Sequence, residues 1–118
     1  MKAADTPVFK NYTPYVGDTF GRAFLIKQNG VLADLSADTF KMRIGDAITG
    51  EEFLTLTLGD GIENPSTGRV VWLITDEQAQ DFLPNRKYKY DLQWTRADGT
   101  NKTLQRGIMT PWKDTTPP

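Results

Sequence analysis

The chain contains no cysteine and no histidine. The first absence removes disulfides, thiolate nucleophiles and the common structural zinc sites, and it fits synthesis in a reducing cytoplasm. The second removes Ser-His-Asp and Cys-His catalysis and the commonest transition-metal ligand, leaving only carboxylate, lysine or tyrosine chemistry open. No segment approaches the roughly 20 apolar residues of a membrane-spanning helix. The opening Met-Lys-Ala-Ala-Asp-Thr-Pro carries a charge without a following apolar run, so no secretion signal is expected. An excess of one sign of charge is lacking as well: 14 basic and 15 acidic residues leave a net charge of −1, with no long block of either. A binder of phosphate backbones carries a basic stripe, so nucleic acid is not an expected partner, and neither is a membrane.

What remains is a chain of 118 residues, enough for one domain that buries roughly two-thirds of its unfolded surface. A single domain over 1–118 is expected, with an ordered core from about residue 16 to 112 and polar termini at 1–7 and 113–118. Helical periodicity is nearly absent, whereas alternation with a period of two recurs, bounded each time by glycine, proline, asparagine or aspartate. A first strand is expected over Thr19 to Gln28, ending at the Asn29-Gly30 turn, after which "VLADLS" offers Val31, Leu32 and Leu35 to the core. In "TFKMRI", Phe40, Met42 and Ile44 share one face and Lys41 and Arg43 the other; in "FLTLTLGDG", Leu54, Leu56 and Leu58 point inward before Gly59-Asp60-Gly61 turns the chain. "RVVWLIT" is a continuous apolar run, which suits a strand buried on both faces or one whose outer face meets another chain. A weak strand is expected around Val8 to Tyr12.

Thr75-Asp-Glu-Gln78 has the form of a capping box, so one short helix is expected, with Ala79, Phe82 and Leu83 inward and Pro84 as its stop. Then "YKYDLQWT" places Tyr88, Tyr90, Leu92 and Trp94 on one face. Pairing Trp94 with Leu104 and Tyr90 with Ile108 calls for an odd-numbered loop, most simply Asp98 to Thr100, with Gly99 free to take positive φ. Such a row of rings is either a ligand platform or the inside of a sheet, and period-two packing favours the core. The resulting class is all-β: an antiparallel Ig-like β-sandwich of about seven strands with one short helix before the last hairpin. The helix followed by Lys87-Tyr88-Lys89-Tyr90 is similar to the E–F corner of such folds, where a tyrosine hydroxyl ties back to nearby backbone.

The order "GDTFGRAFLIKQNGVLADLSADTFKMRI", then "GRVVWLITDEQAQDFLPNRKYKYDLQWTRADGTNKTLQRGIM", resembles the N-terminal domain of phage baseplate upper proteins and similar small tail-associated β-sandwich domains. The shared features are an early Gly-Asp-Thr, an Asn-Gly turn, an Asp-Leu-Ser step, and a late Tyr-x-Tyr-Asp-Leu followed by Asp-Gly and a glycine near the last strand. They span about Val16 to Thr110, with Gly17, Asp18, Asp34, Leu35, Tyr90, Asp91, Leu92 and Gly107 as fold-defining positions. The resemblance implies a non-enzymatic structural or assembly module of a bacteriophage virion (tail, baseplate or neck), made in the host cytoplasm. Its partners would be other phage structural proteins or copies of itself.

No catalytic residue and no cofactor is assigned. Paired carboxylates of a glycosidase have no readable spacing here. Glu51, Glu52, Asp60 and Glu63 lack the repeated acidic spacing of a calcium loop, so no metal site is expected. Gly-Asp-Gly and Gly-Asp-Thr-Phe-Gly do not lead into a helix and are poor phosphate cradles. The candidate partner contacts are aromatic: Phe9, Tyr12, Tyr15 and Trp112 in the terminal segments and Trp72 in the doubly apolar strand. A carbohydrate-binding module for host adhesion, using exposed rings on the same fold, is the alternative function.

Overall fold

The computed structural model describes residues 8–113, so the polar termini expected at 1–7 and 113–118 lie, Lys113 apart, outside the described residues. The elements are β1 (Val8–Phe9), β2 (Phe20–Leu25), β3 (Lys27–Gln28), β4 (Val31–Leu32), β5 (Thr39–Asp46), β6 (Glu52–Leu58), β7 (Gly61–Ser66), β8 (Arg69–Ile74), α1 (Asp76–Ala79), β9 (Tyr88–Thr95) and β10 (Asn101–Met109). Eight of the strands form one sheet in the order β1-β10-β9-β5-β6-β7-β8-β2, and β3 and β4 form a small hairpin. The class is all-β as expected, but the sheet is mixed: β1 runs parallel to β10 and β6 parallel to β7.

The parallel step has a local cause. Gly59 and Gly61 both take positive φ, 87° and 97°, and the chain closes a tight coil in which the Gly59 N–H donates to the Ile62 carbonyl at 2.8 Å. The chain therefore leaves the coil in its original direction, pairing Thr57 with Gly61 and Leu58 with Ile62. Gly61 is required sterically too, since a Cβ there would stand 2.6 Å from the Leu56 side chain. Beyond this step the sheet curls until β8 faces β9. Tyr12 lies between them, its ring 5.7 Å from that of Trp72 on β8 and 5.8 Å from that of Tyr90 on β9.

The period-two strands bury the faces that alternation assigns. Phe40, Met42 and Ile44 on β5 and Tyr88, Tyr90, Leu92 and Trp94 on β9 are all buried, while Lys41, Arg43 and Lys89 are exposed. The aromatic row is thus the inside of the sheet. Strand β8 alternates rather than being buried on both faces: Val70, Trp72 and Ile74 point in, and Val71 and Leu73 point out. Val31 and Leu32, expected in the core, are exposed because the two-residue Asn29-Gly30 turn (φ 54° and 79°) sets the β3–β4 hairpin apart from the large sheet; Leu35 is buried as expected, and Ala33 joins it. Leu58 is also exposed, at the start of the Gly59 coil.

Helix α1 is capped as its sequence predicts. The Thr75 hydroxyl accepts from the Gln78 N–H at 3.2 Å, and the Gln78 side chain accepts from the Thr75 N–H at 2.9 Å. Ala79 and Phe82 are buried, but Leu83 is exposed, because the helix ends at Ala79 and Leu83 no longer follows its periodicity. The Leu83 N–H instead donates to the Tyr88 hydroxyl at 3.0 Å, the hydroxyl-to-backbone tie expected before β9.

The β9–β10 hairpin keeps the expected odd loop but moves it by one residue. Arg96 N–H donates to the Thr100 carbonyl at 2.8 Å and Gly99 N–H to the Arg96 carbonyl at 2.9 Å, with Gly99 at φ 90°, so the loop is Ala97 to Gly99. Trp94 pairs with Lys102, and a bulge between Thr103 and Gln105 then shifts the register. Gly107 rather than Ile108 therefore opposes Tyr90, and Met109 opposes Tyr88 and fills the core. Gly107 leaves room for the N-terminal arm, which bonds along β10 through Lys10 N–H to Arg106 carbonyl and Tyr12 N–H to Ile108 carbonyl, both 3.0 Å.

Candidate functional site

The five aromatic residues singled out as partner contacts separate into two groups. Tyr12 and Trp72 belong to the core of this chain. Trp72 is 0% exposed, and Tyr12 is buried with its ring edge-on to Phe20 at 5.4 Å, so neither offers surface to a partner. The curl of the sheet, invisible in a single strand's pattern, turns both inward. Phe9, Tyr15 and Trp112 remain on the surface. Phe9 is 68% exposed and lies under the Arg106 guanidinium, 4.6 Å from the ring centroid. Tyr15 and Trp112 are 45% and 53% exposed and face each other in a parallel bridge, held by Trp112 N–H to the Pro14 carbonyl and Val16 N–H to the Trp112 carbonyl, both 2.9 Å.

A second surface, of which the sequence reading offered only the outer face of "RVVWLIT", lies at the far end of the sheet. Among the described residues strand β2 pairs only with β8, so none of them covers its other edge. Alternation puts Phe20, Arg22 and Phe24 on the inner side, where the Arg22 guanidinium covers the Phe20 ring at 4.4 Å and the Tyr12 ring at 5.1 Å. Gly21, Ala23 and Leu25 face outward beside Leu73, Val71 and Arg69 of β8. Leu25 is 55% exposed and Leu73 is 42% exposed, and both lie on one apolar outer face. The signal was present in "VVWLI", whose outward-facing members Val71 and Leu73 have no core to fill. Edge strands are usually blunted by proline, bulges or several charges. Here β2 has no proline, no register shift against β8, and a single charge, Arg22, whose guanidinium also bonds the Gly21 carbonyl at 2.7 Å.

The opposite outer face, over β10, β9, β5 and β6, is polar. Arg43, Asp91 and Arg106 line up in register across three strands. A shallow depression of about 700 Å³ is lined there by Arg43, Glu52, Lys89, Asp91, Arg106 and Phe9 among others. Alternating signs on a solvated sheet face provide ionic complementarity but no paired acid and base. Among the described residues no group of three or more metal-ligating side chains comes together, and no helix is long and apolar enough to cross a membrane.

The two buried carboxylates, Asp38 and Asp46, tie elements of the fold together. Asp38 is buried and accepts from Trp94 Nε1 at 2.8 Å and from the Ala97 N–H at 3.1 Å, with the Arg96 guanidinium 3.5 Å away, so it ties the start of β5 to the β9–β10 hairpin. Asp46 accepts from the Thr49 and Ile48 N–H groups at 2.9 and 2.8 Å and pairs with Arg86; these backbone bonds, with the guanidinium adding to them, hold its carboxyl down to about 2. Asp34 and Asp98 are likewise lowered, by bonds from Ser36 and Thr100 respectively. Burial pushes the Tyr90 phenol upward, with Tyr12 adding to it, and its hydroxyl donates to the Lys10 carbonyl at 2.7 Å.

Comparison with known proteins adds nothing to this geometry: no protein-family model matches the chain, and no curated protein matches it.

Proposed function

We propose that this protein is a non-enzymatic structural or assembly module of a bacteriophage virion (tail, baseplate or neck), working through contacts with copies of itself or with other phage structural proteins. The single observation that carries the assembly part is the open β2 edge beside the exposed apolar face of Leu25 and Leu73. An edge blunted by no proline or bulge and by a single charge recruits a strand, and an exposed apolar face is covered by a partner. The phage part rests on the resemblance of the Gly-Asp-Thr, Asn-Gly, Asp-Leu-Ser and Tyr-x-Tyr-Asp-Leu steps to small tail-associated domains. The finer architecture is read in the same way: the two arms of the curled sheet act as the two layers of an Ig-like sandwich, and the Tyr88 tie to Leu83 is its tyrosine corner. Such a scaffold is rigid and meets its neighbours at its edges.

The test is mass spectrometry of gradient-purified phage particles, combined with binding of the purified protein to isolated tail and baseplate components. The chain is expected in the particles or bound to one component. Absence from both would refute the reading. The glycan-binding alternative is favoured by one feature, the adjacent exposed rings of Tyr15 and Trp112. It predicts a glycan-array signal lost on Trp112→Ala, and a blank array removes it.

A further inference from the structure

We infer that the occupant of the open β2 edge is β2 of a second copy, paired antiparallel about a two-fold axis with Ala23 opposite Ala23. This rests on the assembly reading above and specifies its first contact.

The direction of the backbone groups comes first. The Ile26 N–H donates to the Gly68 carbonyl at 2.7 Å, continuing the β2–β8 register, and the Gly21 carbonyl is reached by the Arg22 side chain rather than by β8. Alternation along an antiparallel pair therefore turns the amides of Phe20, Arg22 and Phe24 toward β8 and those of Gly21, Ala23 and Leu25 toward the open edge. A partner strand must bond to these three residues, and its Leu25 N–H takes the place of the Arg22 guanidinium on the Gly21 carbonyl.

The register follows from charge and side. Under two-fold symmetry both copies present the same sheet face on the same side, so outward residues oppose outward residues. Two central registers satisfy this. One sets Arg22 against Arg22, which places like charges directly across the joint. The other sets Ala23 against Ala23, Gly21 against Leu25, and Arg22 against Phe24. In the second, each guanidinium meets an aromatic ring of the partner, as it already covers Phe20 and Tyr12 within its own chain.

The same register covers what is exposed. Gly21 has no side chain, and Leu73 fills the space above it: a Cβ on Gly21 would lie 2.8 Å from Leu73 Cδ1. Leu25 of one copy, opposite Gly21 of the other, then lands on that copy's Leu73. The two most exposed apolar side chains of this outer face cover each other twice, once on each side of the axis. The joint is short, so the dimer belongs to the weak, concentration-dependent class of interfaces.

Since the chain has no cysteine, single cysteines report the register. Ala23→Cys is expected to give an oxidant-dependent covalent dimer, because opposed residues of a hydrogen-bonded pair bring their Cα atoms to ~5.5 Å, within disulfide reach. Arg22→Cys, facing Phe24, is expected to cross-link at least ~10-fold less. Ala23→Pro removes an N–H that points away from β8, so it leaves the β2–β8 ladder intact and should raise the dimer dissociation constant ~10-fold or more. Leu73→Asp, a surface change away from the edge amides, should do the same without lowering Tm. A dimer that survives Ala23→Pro and Leu73→Asp, or one that cross-links through Arg22→Cys instead, overturns this inference and leaves the assembly reading standing. A strict monomer that binds a foreign phage component does likewise, while a strict monomer that binds nothing overturns both.

Discussion

Replacing Gly107 with alanine should detach the N-terminal arm from the sheet. A Cβ at this position would lie 2.1 Å from the Lys10 carbonyl oxygen and 2.8 Å from its carbon, with the Asn11 side-chain oxygen at 3.1 Å. The first two are backbone atoms, so no rotamer change relieves the clash. Gly107 does not take positive φ, so the effect is steric rather than conformational. Moving the arm strains or breaks four bonds: Lys10 N–H to Arg106, Tyr12 N–H to Ile108, Ile108 N–H to Asn11 Oδ1, and Tyr90 hydroxyl to Lys10. It also loosens Tyr12 from its place between Trp72 and Tyr90. Overpacking alone costs about 1–3 kcal/mol. Each bond adds about 1 kcal/mol if lost, and exposing Tyr12 about 2 kcal/mol. Partial relaxation places the net near ~3 kcal/mol, or a fall in Tm of roughly 10–15 °C for a domain of this size. Thermal unfolding followed by circular dichroism reads the loss, and hydrogen exchange at Tyr12 and Ile108 locates it. In a chain lacking residues 1–12 the same substitution should cost little, because its clash partner is gone. A Gly107→Ala protein within about 0.5 kcal/mol of wild type, with Tyr12 still protected, would refute the reasoning.

Three further outcomes are expected. Tyr88→Phe leaves the Leu83 N–H without its acceptor and should lower stability by about 1–2 kcal/mol in a denaturant titration, whereas no change would remove the corner as a structural device. Asp38→Ala strips the Trp94 indole N–H and the Ala97 N–H of their acceptor at a buried site; a loss of about 2–4 kcal/mol is expected, and Asp38→Asn should recover part of it. For Asp46, the folded carboxyl is held near 2 against an ordinary 3.8, so its contribution is fully present above about pH 4 and is lost as pH falls toward 2. Asp46→Asn should flatten the stability profile across that window, and an unchanged acid limb would contradict the assignment.

Legibility in the sequence tracked the range of the interaction. "TFKMRI" and "YKYDLQW" gave their buried faces directly, because period-two alternation is a local property of a half-buried strand. The Thr75 capping box and the Asn29-Gly30 turn were equally readable, each needing only neighbours in sequence, whereas the Gly99 loop was read in its length and its positive φ but one residue out of place. The Gly59–Gly61 coil was read as a turn but not as a parallel step, since two positive φ angles reverse the chain twice and composition records only that it bends. The bulge in β10 was invisible for a related reason: nothing in "NKTLQRGIM" marks which residue lacks a partner, so Gly107 stands opposite Tyr90 where Ile108 was expected. Trp72 and Tyr12 were misplaced because their burial depends on the curl that brings β8 opposite β9. The outer face of β8 was anticipated as one of two readings of "RVVWLIT", and its companion, the open edge of β2, required the strand order.

The most direct measurement is light scattering behind a size-exclusion column, run on the wild-type protein from micromolar to near-millimolar concentration. The account predicts a mass that rises from one chain toward two as concentration increases, with the rise abolished by Ala23→Pro. A mass fixed at one chain across the whole range would contradict the pairing of β2 with its copy and leave only a foreign partner for that edge.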